Sequence, residues 1–343
     1  MGKISGDKTR VAIVGAGAMA NRVHYPSLGQ IPGVEMVGIC DLNGDALKDT
    51  ADRYGIAKRY TNYRNMVEDV VPDAIYVLGQ PHLLYDAWVW CLQQKLNLFI
   101  EKPLGVNLHQ AMNLAHLAEV NNCITQVGFQ RRNSAMVRSM LAKCRESGPV
   151  VHAVCTFTKQ DEGPMMRAYD EMYDITIHAI DTLRAICGGE IVNIDSVARR
   201  MRIPNLNAIF ALIHFDNGAT GVLMNNHISG RRTFSFEIHC PDICAIGELE
   251  GQGRIYRATP KEGAYYDVAA GEDFDAMTLA GSSDYHVYGG YLAKHEEFIT
   301  CLRTGDQPSS HFGDALKTMQ AAEIILAHAL LRGPEEFGKV YAV

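Results

Sequence analysis

Arg10-Val11-Ala12-Ile13-Val14-Gly15-Ala16-Gly17-Ala18-Met19-Ala20 is the stretch whose reading decides the fold. Arg10 to Val14 is a short β-branched, apolar run that predicts a buried strand, and it leads straight into a small-residue turn that opens a helix. The turn is the G-x-G-x-x-A variant of the Rossmann fingerprint. Gly15 permits the tight turn, and Gly17 lets backbone N–H groups approach a pyrophosphate. Ala18 and Met19 carry the chain into the helix, whose N-terminus favours phosphate charge. Ala20 is small enough for that helix to pack on the strand.

Working outward, Val34 to Cys40 reads as a second strand ending at Asp41, at the spacing of a ribose-binding acid. An acid there accepts hydrogen bonds from both ribose hydroxyls and repels a 2′-phosphate, so NAD is favoured and NADP is left open by the nearby Arg22 and Lys48. Capping of the next helix is the other role open to Asp41. Further strands are predicted at Ala74 to Leu78, Leu98 to Ile100 and Ile124 to Val127, with helices at Leu83 to Lys95 and Leu108 to Asn121. This alternation argues for a doubly wound parallel sheet, in which ligands bind beyond the carboxyl ends of the strands. Gln80-Pro81-His82, Glu101-Lys102-Pro103 and Phe129-Gln130-Arg131 all fall at that edge.

Glycine turn, strand-end acid, Glu101-Lys102-Pro103 and a later Asp-x-x-x-His element resemble, in order and over almost the whole chain, the Gfo/Idh/MocA family of oxidoreductases. Tyr173 to Arg184 resembles the catalytic helix of its MviM-like branch. The resemblance implies that Lys102 lies near nicotinamide and the substrate hydroxyl, that Pro103 follows a cis peptide bond, and that His178 is the general base with Asp174 binding a substrate hydroxyl. It also implies cofactor contacts from Gln80, Pro81, His82, Glu101, Lys102 and Gln130. One departure stands out: the family's Pro-Asn-x-x-His pattern reads Pro81-His82-Leu83-Leu84-Tyr85 here.

The spacing of the second element supports the same helix independently. Asp174, His178 and Asp181 stand at i, i+4 and i+7 and share one helical face, with Ala179, Ile180, Leu183 and Ile186 mostly on the other. An apolar back and an outward acidic–imidazole stripe are expected of a helix lining a cleft. His178, with an ordinary pKa near neutrality, suits the base better than Asp174. His24 fits a packed or a surface role equally. Arg131 and Arg132 are candidates for a substrate carboxylate or hydroxyls, and Met165, Met166 and Tyr169 for a pocket wall.

From about Val150 the pattern changes to strands in series, with Asp216-Asn217-Gly218 as a turn between two of them. The expected architecture is α/β: an N-terminal Rossmann domain over 1–130, then an α+β substrate and oligomerisation domain over 131–343 on a mostly antiparallel open sheet. Helices at Leu292 to Arg303 and Asp314 to Leu331 are expected to pack back on the first domain. In the family the open sheet resembles a dimerisation surface, so a homo-oligomer is expected.

With 343 residues, 47% of them hydrophobic and 21% charged, the chain has ordinary globular composition and room for two cores. A net charge of -7 gives no basic surface for nucleic acid. Met1 to Arg10 has no apolar h-region, and no apolar run reaches membrane-spanning length, so no membrane partner is expected. Nine scattered cysteines suggest a reducing, cytoplasmic setting, and His239, Cys240 and Cys244 lack a second matching pair, so no metal site is expected. The function that follows is hydride transfer between a secondary alcohol of a sugar, polyol or uronic-acid-type substrate and nicotinamide. A redox-neutral NAD-dependent glycosidase would use the same Lys and His, and a non-catalytic NAD-binding sensor is the third reading.

Overall fold

A computed structural model describes residues 8–160, 171–203, 205–261, 264–268 and 271–331. The chain forms two compact units that meet in the sequence at Gln130/Arg131, Asp284/Tyr285 and Lys317/Thr318.

The first unit is built on β1 (Thr9–Val14), β2 (Val34–Cys40), β3 (Arg59–Tyr60), β4 (Ala74–Val77), β5 (Asn97–Ile100) and β6 (Thr125–Val127). All pair in parallel, in the order β3-β2-β1-β4-β5-β6. Such a sheet is covered on both faces, and β1, β4 and β5 are accordingly near-continuous buried apolar runs. The crossover helices start where an Asn side chain accepts backbone N–H groups: Asn43 before Gly44–Tyr54, Asn62 before Tyr63–Val70 and Asn107 before Leu108–Val120. Pro81 opens the helix Pro81–Gln93, where its missing N–H costs nothing. Strand order reverses between β1 and β4, which is where a doubly wound sheet leaves a crevice.

This unit is completed by residues from late in the chain. Phe298, Ile299 and Leu302 of the helix Tyr291–Thr304 join Ile13, Tyr76 and Phe99 in one core. Tyr76 stacks on Phe99 at 4.7 Å between ring centroids, and Phe298 meets both rings edge-on. Each fully buried ring of this kind stabilises by about 1.5–3 kcal/mol through area alone.

The second unit carries β7 (His152–Gln160), β8 (Ile191–Arg200), β9 (Leu206–Phe215), β10 (Thr220–Asn226), β11 (Ile228–Cys240), β12 (Ile243–Glu248), β13 (Gln252–Lys261), β14 (Ala264–Val268) and β15 (Glu272–Asp275). They make one sheet ordered β14-β13-β12-β11-β7-β10-β9-β8, with β15 also paired to β13. Only β7 with β10 is parallel. The helices Ala135–Arg145 and Ile177–Cys187 cover one face, taking alternate residues such as Ala153, Cys155, Leu223 and Ile238 into the core. Gly253 makes the close approach possible, since a Cβ there would stand 2.3 Å from Met140 Cε. The turn at Asp216-Asn217-Gly218 forms as its residues suggest, with Gly218 at φ +85°.

Two differences from the sequence expectation stand out. The strand expected from Thr233 begins at Ile228, with a register irregularity between those residues that absorbs the polar Ser229 to Arg232. The stretch after Arg254, read as strand fragments and loops, contributes three strands at the polar margin of the sheet, where hydrophobic alternation is weakest. Phe298→Ala is expected to lower the unfolding free energy by about 3–5 kcal/mol, read as a shifted denaturant midpoint. A loss below about 1 kcal/mol would mean that this late helix does not build the core.

Candidate active site

At the carboxyl end of β1 the two glycines of the turn answer to different constraints. Gly15 sits at φ +112°, and a Cβ on it would lie 2.4 Å from the Leu78 carbonyl oxygen. The protein itself therefore demands glycine there; Gly15 N–H donates to the Cys40 carbonyl at 2.9 Å, and Tyr25 Oη donates to the Gly15 carbonyl at 3.0 Å. Gly17 differs: a Cβ on it would meet no protein atom within 4 Å. The space before it is a cradle that a side chain would fill. Gly17, Ala18 and Met19 are exposed on its rim, while Ala20 is buried in the core beneath. The helix then runs through a π-type stretch, Ala20–His24, into Tyr25–Gln30.

Asp41, just past β2, points its carboxylate at this turn. One oxygen accepts from Ala16 N–H at 2.7 Å and the other from Asn43 N–H at 2.7 Å. The cap of the following helix is Asn43, so Asp41 is not engaged as a helix cap. An open cradle at Gly17 beside an acid at the next strand end has room for a phosphate and a ribose.

Beyond β5, Glu101 and Lys102 lead into a cis Lys102–Pro103 bond. The Glu101 side chain turns into the unit, so close to Gly128 that a Cβ there would stand 2.5 Å from it. His24 Nε2 lies 3.0 Å from Glu101 Oε1, and Lys294 Nζ lies 3.8 Å from the same oxygen. His24 Nδ1 in turn meets His295 Nε2 at 3.0 Å. Burial pushes the Glu101 carboxyl up, but the hydrogen bond from His24 and the Lys294 and Lys102 charges outweigh it and hold the group below its ordinary value. Burial pulls His24 down despite that carboxylate, and pulls His295 well down. The protons are then assigned by elimination: a carboxylate only accepts, so neutral His24 donates from Nε2, accepts at Nδ1, and His295 donates from Nε2.

The remaining residues expected at this edge are placed as follows. Gln80 and His82 are exposed at the start of Pro81–Gln93, with Pro81 buried between them. Gln130 is buried, its amide donating to Tyr291 Oη at 2.9 Å. Tyr85, in the place of the family's histidine, accepts from Asn113 Nδ2 at 2.7 Å.

In the second unit, Asp174 lies in a π-type stretch, Met172–Thr176, and His178 in the α-helix Ile177–Cys187 that continues it. Here the expected outward stripe needs correction, because this helix is buried on every side: His178 is 7% exposed and Asp181 1%. Asp181 is held by a two-pronged pair with Arg132, Nε to Oδ2 at 2.9 Å and Nη2 to Oδ1, with Thr318 beside it. Arg132 thus has a structural partner in Asp181. Arg131 is likewise buried, its guanidinium lying 4.4 Å over the Phe157 ring and 4.3 Å over that of Phe234. Asp174 is half-buried. Met165, Met166 and Tyr169 lie outside the described residues.

Sequence reasoning passed over Lys294 and His295. A signal was there: Lys294 precedes Phe298 by four residues, and His295 precedes Phe298 and Ile299 by three and four, which puts both in the apolar stripe of their own helix. A charge inside such a stripe points to a buried partner.

Gly17→Ala is expected to leave stability unchanged or up to about 1 kcal/mol higher, while weakening NAD at least about tenfold by titration calorimetry. Wild-type affinity would show that the cradle does not hold the cofactor. His24 and His295 have folded pKa values below their ordinary 6.5, so the stability they contribute is complete above about pH 6.5 and lost as pH falls. Each is expected to steepen acid destabilisation by up to about 1.4 kcal/mol per pH unit, and His295→Gln to make the wild-type slope shallower.

Residues 9–129 match the family model described as "Oxidoreductase family, NAD-binding Rossmann fold", and residues 141–242 match the "GFO/IDH/MocA C-terminal domain". The chain is 23% identical over 317 residues to a myo-inositol 2-dehydrogenase of Thermotoga maritima, spanning 88% of this chain and 90% of that protein. It is 24% identical over 320 residues to the NAD(+)-dependent scyllo-inositol 2-dehydrogenase of Bacillus subtilis, spanning 88% of each. A dehydrogenase structure from Chromobacterium violaceum shares the fold with a TM-score of 0.84 at 19% identity, covering 95% of this chain and 96% of that one. With a matching model in each unit and relatives that span nearly its full length, the chain belongs to the Gfo/Idh/MocA family of NAD-dependent oxidoreductases.

Proposed function

We propose that this oxidoreductase acts on a secondary alcohol of a cyclic polyol, a sugar or a uronic-acid-type substrate. The observation that carries the reading is the placing of Lys102 and the Gly17 cradle at carboxyl ends of strands in one parallel sheet, β5 and β1. The inositol dehydrogenases similar over nearly the full chain support the substrate class.

Bound on the Gly15–Ala20 turn and Asp41, NAD supplies a hydride acceptor. Lys102 favours negative charge developing on the substrate oxygen as its C–H bond breaks. His178 takes the hydroxyl proton, and Asp174 orients a neighbouring hydroxyl. Glu101, Gln80, Pro81, His82 and Gln130 shape the cofactor side of the same reaction.

We also infer self-association through the open face of the second unit's sheet. Leu212, Met224 and Ile246 are exposed there. Val222 stands opposite Leu212 on one side and Val154 on the other, which makes the apolar strip continuous across three strands. A second copy presenting the same strip would cover it. No helix among the described residues is long and apolar enough to cross a membrane. All nine cysteines are free thiols, which supports a reducing, cytoplasmic setting.

The test is appearance of the reduced-nicotinamide absorbance with inositols, aldoses and uronic acids as substrates. One substrate class is expected to saturate, with Lys102→Ala and His178→Ala each lowering kcat by about 10²–10⁴ while NAD affinity stays within about threefold. Bound NAD with no reduction across the panel would sink the substrate assignment. Wild-type turnover in His178→Ala would remove that residue as the base.

A further inference from the structure

Lys294 is fully buried, and among the described residues its ammonium has no hydrogen-bond partner. It lies 4.5 Å from the centroid of the Phe99 ring, 5.3 Å from that of Tyr291, and 3.8 Å from Glu101 Oε1. An aliphatic side chain would fill this space without desolvating a charge, a cost that rings and a distant carboxylate offset only in part. What the charge does there is fixed by its neighbour: Glu101 immediately precedes Lys102.

We propose that Lys294 is a positioning residue for the reaction at Lys102. Its protonated ammonium is the counter-charge that keeps the Glu101 carboxylate locked beneath the Lys102–Pro103 turn, and full turnover requires that proton. The inference rests on the assignment of Lys102 to the substrate.

The groups facing this site come from four elements. Glu101 and Phe99 belong to β5 and its end, and His24 to the helix after the glycine turn. Tyr291, His295 and Glu297 share Lys294's own helix, and His286 sits in the short helix Tyr285–Tyr288 before it. Glu297 is itself bound by Gln126 Nε2 at 3.1 Å and Ser309 N–H at 2.7 Å. Burial lowers His24 below its ordinary value, so above neutrality Lys294 and Lys102 carry the positive charge that acts on Glu101, and the His24 charge adds to it only at lower pH. When Lys294 gives up its proton, Lys102 is left as the cation available to that carboxylate. It is then drawn toward Glu101 and away from the substrate oxygen. The glycine turn is untouched, so the loss falls on kcat and not on NAD binding. Burial, against the pull of Glu101 and Glu297, brings Lys294 down to about 8, which places this change within reach of ordinary assay conditions.

The experiment is kcat against pH, between about pH 6 and pH 10, for the wild type, Lys294→Met, Lys294→Arg and Glu101→Gln, with Lys102→Ala in parallel. The wild type is expected to lose kcat as pH rises through about 8. Lys294→Met is expected to turn over at about a tenth of the wild-type rate or less, without that alkaline limb and with KM for NAD within about threefold. Lys294→Arg is expected to restore turnover and carry it past the wild-type limb, because a guanidinium does not deprotonate in this range. Glu101→Gln, nearly unchanged in volume, is expected to abolish the limb and keeps the test alive should Lys294→Met fail to fold. A wild-type rate and an intact limb in Lys294→Met, or an intact limb in Glu101→Gln, overturns the proposal. If Lys102→Ala retains full turnover, the assignment of Lys102 fails instead, which is a separate result.

Discussion

A carboxylate taken out of water must be answered, and Glu101 is where this protein meets that demand. Its side chain, at the end of a largely buried strand, is only 20% exposed, so most of the answer comes from other elements. His24 is supplied by the helix that follows the glycine turn, Lys294 by a helix nearly two hundred residues later, and Gly128 clears the room. Removing one member of such a set leaves an uncompensated buried charge, at a cost of about 3–5 kcal/mol. The same demand therefore links the cofactor turn, the lysine loop and the late helix mechanically, before any ligand is present.

Charges in the second unit divide differently. Arg132 and Asp181 face each other in a buried two-pronged pair, and the Arg131 guanidinium lies against two adjoining aromatic rings. Both arginines tie the unit together near the start of its chain segment. His178 and Asp174 share the helix of Asp181, one buried and the other half-buried. A π-type stretch widens the helix at Asp174, as another does directly after the glycine turn at Ala20–His24. Such insertions often mark functional sites, and here each lies in a helix assigned to the reaction.

Much of this was legible in the sequence for a physical reason: buried parallel strands are short β-branched runs, and Gly15 and Ala20 are required by the backbone itself. The place of Asp41 also follows from motif and spacing, while the cis bond before Pro103 is implied by the family resemblance. What was not legible is equally specific. A 3.6-residue period puts Asp181 on the face of His178, but cannot say that an arginine from a preceding segment is already bonded to it. Nor does hydropathy reveal that Lys294 is buried, since a lysine scores as surface wherever it stands. The strands after Arg254 read only as fragments among loops, because that Gly- and acid-rich stretch carries few apolar residues to set an alternation.

The boundary of the first unit has a consequence for how the protein comes off the ribosome. That unit is not a contiguous segment: its sheet is complete at Gln130, yet Phe298, Lys294 and His295 arrive only with the stretch that begins at Tyr285. At elongation rates of about 5–20 residues per second, the nascent sheet waits on the order of ten seconds or more with Glu101 and its apolar strands uncovered. The second unit's first 150 or so residues emerge in that interval. Chaperone capture in the cell, and the failure of any expression fragment cut at residue 130 to behave as a stable domain, are the natural outcomes of a core whose last pieces are translated last.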